Sequence, residues 1–266
     1  MKKIAIATLG CKVNQFESAS FITGFHEAGC EIVPFSSAAD IYVINTCTVT
    51  GRAGQQSRQL IRRAIRTNPK GRLVITGCYA QMAADEILEI VESPVCIVGN
   101  GNKHLLVNAA LSENQCDLVM LMGEIGRKKE ICDLPVRKFS GRTRAFLRIQ
   151  DGCNNFCSYC IVPYTRGRSR SLPLLAILKQ TGVFQDEGYR EMVITGINVG
   201  KYGLDLDEQQ DIYTLLDRLC REFPEMRIRL SSVEPSEVND QLLNLMTAHA
   251  NFMPHLHIPL QSGDDG

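Results

Sequence analysis

The sequence predicts an α/β protein in two parts, an N-terminal open parallel-sheet domain followed by a partial (β/α) barrel. Three observations carry that prediction. Short β-rich runs alternate with helix-length segments along most of the chain, the signature of parallel strands joined by crossover helices. The periodicity fades between Gly123 and Thr143, where Gly, Pro and basic residues accumulate. A second series of strands and helices then resumes and stops six residues after Leu260. The expected divisions are residues 1–122 for the first domain, 123–143 for a basic linker and 144–266 for the second domain.

Each element has its own justification. Lys3 to Leu9 (KIAIATL) is β-rich and ends at Gly10, Phe16 to Ala28 suits a helix, and Ile41 to Asn45 (IYVIN) is a buried-strand run. Arg52 to Thr67 is helical, and Leu73 to Thr76, Ala83 to Val91, Val95 to Val98 and Asn102 to Leu111 continue the alternation. In the second part, Ala145 to Gln150 reads as a strand that leads into a cysteine-rich loop, Pro173 to Glu187 as a helix and Glu191 to Thr195 as a strand. The segment Asp211 to Phe223 places Ile212, Leu215, Leu216, Leu219 and Phe223 on one helical face. Arg227 to Ser231 is then a strand, Val238 to His249 a helix and His255 to Leu260 a last strand.

Composition excludes several classes. With 266 residues, 44% hydrophobic and 22% charged, the chain can build a packed core and is not disordered or low-complexity. No run approaches the roughly 18 apolar residues of a membrane helix. Met1-Lys2-Lys3 leads straight into a strand rather than a secretory signal, so a cytoplasmic location with no membrane partner is expected. The eleven cysteines are odd in number and lack an export signal, which favours metal or redox chemistry over a disulfide framework. Net charge is zero, yet residues 124–170 carry 11 Lys/Arg against 4 Asp/Glu, and residues 171–266 carry 7 against 15. That basic middle is either the footprint of a polyanion or a solvated surface.

Cys153, Cys157 and Cys160 read C-x-x-x-C-x-x-C directly after the strand Ala145 to Gln150. Three thiolates so spaced can converge on one cuboidal iron-sulfur cluster and leave its fourth iron open to a cofactor or substrate. A zinc site would want a fourth ligand nearby, and the next downstream candidates, Cys220 and His249, are distant in sequence. Cys11, Cys47 and Cys78 each end a strand. Carboxyl ends of neighbouring parallel strands share one edge, so these three can converge as well, although a buried free cysteine is more often a small hydrophobe. Cys30, Cys96, Cys116, Cys132 and Cys220 match no motif and read as core or surface thiols, Cys132 among linker charges as an exposed one. Tyr164 to Arg170 (YTRGRSR) puts Arg166, Arg168 and Arg170 just after the cysteine loop. Those arginines, with Lys128, Lys129, Arg137 and Lys138, suit RNA phosphates, and one of them can instead neutralise a cluster or a cofactor carboxylate.

On these residues the C-x-x-x-C-x-aromatic-C loop resembles the radical S-adenosylmethionine (SAM) superfamily, and the whole chain resembles its methylthiotransferase family. The stretches TLGCKVNQ around Cys11, VINTCTVT around Cys47, TGCYAQ around Cys78, and QDGCNNFC followed by IVPYTRG carry the likeness. Within that family the wording is most similar to the enzymes acting on N6-threonylcarbamoyladenosine in tRNA. The resemblance implies a partial radical-SAM (β/α) barrel and two 4Fe-4S clusters, one held by Cys153, Cys157 and Cys160, the other by Cys11, Cys47 and Cys78. It places Tyr159 against the adenine of SAM. It makes Gly196, Asn198, Ser231, Glu234 and Gln261, all at strand ends, candidates for SAM or substrate contact; a turn or capping role is the alternative for each.

The chemistry so implied is methylthiolation of carbon 2 of the modified adenosine in a tRNA anticodon loop. A 5′-deoxyadenosyl radical from SAM removes the hydrogen, a methylated sulfur at the second cluster is transferred, and a second SAM supplies the methyl. An electron donor such as a flavodoxin or ferredoxin is implied as a partner. The same chemistry on N6-isopentenyladenosine or on a ribosomal-protein aspartate is the alternative within the family. A non-catalytic iron-sulfur electron carrier or scaffold, and more weakly a zinc-binding structural protein, are the alternatives outside it. Relatives continue past Gln261-Ser262-Gly263 through the rest of the barrel into a small tRNA-holding TRAM domain, so an incomplete cofactor pocket and weak tRNA affinity are expected of this chain.

Overall fold

In the computed structural model, which describes residues 1–92, 94–112, 118–207 and 210–264, strand β1 (Lys3–Thr8) leads into helix α1 (Lys12–Glu27), then β2 (Glu31–Val33) and β3 (Ile41–Thr46). Helix α2 (Gly51–Thr67), β4 (Arg72–Gly77), α3 (Cys78–Met82), α4 (Ala84–Ile90), β5 (Val95–Val98), α5 (Leu106–Leu111) and β6 (Leu118–Leu121) follow. The six strands pair in parallel in the order β2-β1-β3-β4-β5-β6, the open sheet that the alternation predicts. Central strands β3 and β5 are buried along their whole length, which is why they read as unbroken apolar runs. Ile44 pairs with Ile75, and Ile75 with Ile97. With Tyr42, Ile61, Leu73 and Ile87 these side chains form a core between the sheet and helices α2 and α4. Thr50 caps α2 by accepting a hydrogen bond from the Ala53 N–H at 3.1 Å.

Edges depart from the sequence-based expectation. Helix α1 starts at Lys12, immediately after Cys11, rather than at Phe16. Strands β2 and β6 are short edge strands that the hydrophobic pattern does not announce, Leu118 and Met120 of β6 being half exposed. The segment expected to be helical from Asn102 divides into a 3-10 stretch, Asn100–Leu105, and α5.

The second series comprises β7 (Ala145–Arg148), β8 (Gln150–Asp151), α6 (Val162–Arg166), β9 (Arg170–Ser171), α7 (Leu174–Asp186), β10 (Glu191–Thr195), α8 (Ile212–Glu222), β11 (Arg227–Leu230) and α9 (Asp240–Ala248). Strands β11-β10-β7 form a parallel sheet, and β8 pairs antiparallel with β9. Helix α8 buries the predicted face of Ile212, Leu215, Leu216 and Leu219, and Asp211 caps it through the Thr214 N–H at 2.7 Å. The expected strand His255 to Leu260 does not form. Only the isolated bridges Ile228 to Phe252 and Ser232 to His257 extend the sheet there. Pro254 and Pro259 withhold two backbone donors from that segment, and Leu260 is left 79% exposed.

Two compact units result: Met1–Val136 with Asn154–Arg168, and Arg137–Cys153 with the chain from Ser169 onward. Within residues 123–143 the side chains of Ile125, Cys132, Leu134, Val136 and Phe139 are buried. Phe139 packs edge-on against Phe146, with ring centroids 5.5 Å apart. Among the described residues no helix is long and apolar enough to cross a membrane.

Candidate functional site

Strands β1, β3 and β4 are neighbours, so their carboxyl ends lie along one edge of the six-stranded sheet. Cys11 stands at the N-cap of α1 after β1, Cys47 follows β3, and Cys78 opens α3 directly after β4. Two glycines make the sharp turns into them. Gly10 has φ +92°, and a Cβ there would come within 2.9 Å of the Cys47 sulfur; Gly77 has φ +98°, and a Cβ there would collide with the Thr46 backbone. Cys11 is exposed, while Cys47 and Cys78 are buried. Burial pushes the Cys47 thiol above its ordinary pKa; the charges of Cys78 and Cys11 add to that shift and Arg166 opposes it. Among the described residues no three Cys, His, Asp or Glu side chains are gathered tightly enough to hold a single metal ion.

Two asparagines and three buried charges support this edge. Asn14 donates to the carbonyls of Leu9 at 2.7 Å and Thr46 at 3.0 Å, which joins the loops after β1 and β3. Its Oδ1 lies 3.8 Å from the Cys11 sulfur and accepts from Arg166 at 2.5 Å. Asn100 reaches the Cys78 sulfur at 3.9 Å and the Thr165 carbonyl at 2.7 Å. Beneath them the Glu17 carboxylate binds Lys103 at 2.5 Å and Arg166 at 3.1 Å, and all three side chains are 1% exposed. Burial pulls the Lys103 ammonium below the ordinary lysine pKa, opposed by Glu17. Sequence alone gives no role to Glu17, Lys103, Asn100 or, within the TLGCKVNQ stretch, Asn14. The available signal is a glutamate set among the buried positions Val13, Phe16, Ala19 and Phe21 of α1.

In the C-x-x-x-C-x-x-C segment, Cys153 and Cys160 are half-buried and Cys157 is exposed. Phe156 adopts the left-handed region at φ +49°. Its ring meets Tyr164 edge-on, and the Arg168 guanidinium sits 4.4 Å from its centroid. Tyr159 is 76% exposed and takes no part in the core. The expectation that three arginines here meet RNA phosphates is corrected for two of them. Arg166 is buried against Glu17, and Arg170 is buried 3.5 Å from Asp151; Arg168 stays exposed. Cys132 is likewise buried rather than exposed, with its sulfur 3.5 Å from His104 Nδ1. Cys30, Cys96 and Cys220 are buried, and burial beside Asp217 pushes the Cys220 thiol up to about 12, which keeps it inert. Cys116 lies outside the described residues.

At the strand ends of the three-stranded sheet, Gln150 is the organiser that the motif reading misses. Its Oε1 accepts from the backbone N–H groups of Ile197 at 3.0 Å and Asn198 at 2.9 Å, and its Nε2 donates to the Gly152 carbonyl at 2.6 Å. A Cβ on Gly196 would press on this side chain at 3.0 Å. Asn198 in turn donates to Glu234 at 3.3 Å, so Gly196, Asn198 and Glu234 come together. The Ser231 N–H bonds the Ile194 carbonyl on the adjacent strand. Gln261 is exposed in the segment beyond the His257 bridge.

Residues 3–99 match uncharacterized protein family UPF0004, and residues 147–266 match the radical SAM superfamily. The chain is 40% identical to the threonylcarbamoyladenosine tRNA methylthiotransferase MtaB of Bacillus subtilis, over 100% of this chain and 59% of that protein. Along its whole length the chain is thus similar to radical SAM methylthiotransferases. Another methylthiotransferase so named, from Aquifex aeolicus, is 39% identical over 99% of this chain and 64% of its own length. The tRNA-2-methylthio-N(6)-dimethylallyladenosine synthase of Thermodesulfovibrio yellowstonii is 30% identical over 99% and 60%. The chain thus spans about three fifths of the length of the curated methylthiotransferases it matches. A solved radical S-adenosylmethionine methyltransferase, TsrM from Kitasatospora setae, shares the fold with TM-score 0.59 at 13% identity, over 93% of this chain and 57% of that one. A radical SAM domain implies SAM and a 4Fe-4S cluster. The donor chemistry of Cys153, Cys157 and Cys160, three cysteine sulfurs close together in sequence, fits that cluster.

Proposed function

We propose that this chain methylthiolates carbon 2 of N6-threonylcarbamoyladenosine beside the anticodon of tRNA, using two 4Fe-4S clusters and SAM. The observation that carries the reading is the edge of the six-stranded sheet. There three cysteines follow three adjacent parallel strands, two of them preceded by left-handed glycines that the turns require. A cuboidal cluster, whose corners stand apart, suits such thiols better than a single ion does, and Cys11, Cys47 and Cys78 would hold it. Cys153, Cys157 and Cys160 would hold the other cluster. When bound, the two clusters and SAM supply the radical hydrogen abstraction and the sulfur, chemistry beyond the reach of side-chain acids and bases.

The remaining roles belong to the chain's own residues. Gly196 permits close backbone approach, Asn198 and Glu234 present amide and carboxylate groups to the polar parts of SAM, and Ser231 adds a hydroxyl. Tyr159, exposed beside Cys160, offers its ring to the adenine, and Gln261 contacts SAM or substrate. Arg127, Lys128 and Lys129 line a 420 Å³ cavity, and with Arg168 they form a basic surface for RNA phosphates. An anticodon-loop base is single-stranded and can be splayed into a pocket at modest cost. A flavodoxin or ferredoxin is the expected electron donor, and the location is cytoplasmic.

The test compares two variants of the reduced, reconstituted protein. Cys157→Ala abolishes formation of 5′-deoxyadenosine from SAM, whereas Cys47→Ala retains it and loses methylthiolation, read by mass spectrometry of tRNA nucleosides. If both variants still methylthiolate tRNA, the assignment fails. Product on N6-isopentenyladenosine instead would keep the chemistry and change the substrate, and no 5′-deoxyadenosine from the parent chain would favour an electron carrier.

A further inference from the structure

The group Glu17, Lys103 and Arg166 is unusual in its charge balance. Two basic side chains share one carboxylate and each of the three side chains is 1% exposed, so that with both bases protonated the formal charges of the three sum to one positive charge. Burying an unbalanced charge is costly unless an opposite charge lies close. The cysteines above are the groups placed to supply it. Asn14 Oδ1 is shared by Arg166 at 2.5 Å and the Cys11 sulfur at 3.8 Å. Asn100 spans from the Cys78 sulfur at 3.9 Å to the carbonyl of Thr165, the residue before Arg166. An oxidised 4Fe-4S core carries two positive charges, so three thiolates around it leave one negative charge, which the triad balances.

We propose that Lys103, Glu17 and Arg166 form a buried counter-charge that sets the reduction potential of the cluster held by Cys11, Cys47 and Cys78. They act as positioning residues and supply no ligand. The inference rests on the assignment of those three cysteines as ligands. A net positive charge beside a cluster favours its reduced form, which is one unit more negative, and so raises its potential. Removing a cation must lower the potential, and removing the carboxylate must raise it.

The experiment uses the whole chain carrying Cys153→Ala, Cys157→Ala and Cys160→Ala, so that one cluster remains, reconstituted anaerobically and titrated with a reductant while its electron paramagnetic resonance signal is followed. Lys103→Met is expected to disfavour reduction at least tenfold, a downward shift of about 59 mV for a one-electron couple. Glu17→Gln is expected to favour reduction to a similar degree, and Lys103→Arg to leave the potential near that of its parent. Shifts of opposite sign support the proposal; unchanged potentials, or shifts of one sign, overturn it. Should one of the first two variants fail to fold, the sign of the other decides, and should both fail, Arg166→Gln replaces them: a lowered potential supports the proposal and an unmoved or raised one overturns it. Adding Cys11→Ala to the same background separates the two claims. If iron binding is undiminished, the ligand assignment fails whatever the potentials do.

Discussion

The carboxyl-end loops of the six-stranded sheet and those of the three-stranded sheet face the same problem, fixing side chains on backbone outside regular structure, and they meet it with different chemistry. In the first, ionised side chains lie beneath the loops, with Glu17 gripping Lys103 and Arg166 out of contact with water. In the second, one neutral amide, Gln150, accepts two backbone N–H groups and donates to a carbonyl. Buried ionisable side chains occur there too: Arg170 lies 3.5 Å from Asp151, and Arg148 at the end of β7 is 2% exposed. An amide fixes geometry without imposing a field. Buried charges impose a field and demand desolvation, so they are justified where an ionic guest must be balanced.

Stability measurements sharpen this contrast in graded steps. Glu17→Leu leaves Lys103 and Arg166 buried without their carboxylate, and chemical denaturation should show a loss of about 3–5 kcal/mol. A loss under about 1 kcal/mol would mean that the charges reach water and that the two edges differ less than the burial indicates. Gln150→Leu keeps the volume and strips the partners from the Ile197 and Asn198 N–H groups, for an expected loss of about 1–3 kcal/mol. Asp211→Ala, which touches neither edge, removes the cap of α8 and should lower stability by about 1 kcal/mol. If that cap variant proved more damaging than the Gln150 variant, the amide would not be the organiser of its loops.

The division between what could and could not be read in the sequence follows from the range of the interactions. Helix α8 is legible because its buried face repeats within one helix, and β3 and β5 because both faces of a parallel strand are apolar. Cys11, Cys47 and Cys78 are legible because each follows a strand, and strand order alone brings them to one edge. The triad is not, since Lys103 lies 86 residues and Arg166 149 residues from Glu17, and no local pattern links them. Arg166 and Arg170 look like exposed phosphate ligands in an arginine-rich stretch, yet only the fold reveals the carboxylates that bury them. The run from His255 to Leu260 has strand-like residues, but Pro254 before it, Pro259 within it and the lack of a continuous partner leave it with the single bridge at His257.

The central claim is that two separate trios of thiolates each hold a cluster. Anaerobic iron and sulfide analysis of the reconstituted protein and of two triple-alanine variants, one lacking Cys11, Cys47 and Cys78, the other lacking Cys153, Cys157 and Cys160, tests it most directly. The account predicts about eight irons per chain in the parent and about four in each variant. About four in the parent, or an iron content that survives either triple substitution undiminished, would contradict it.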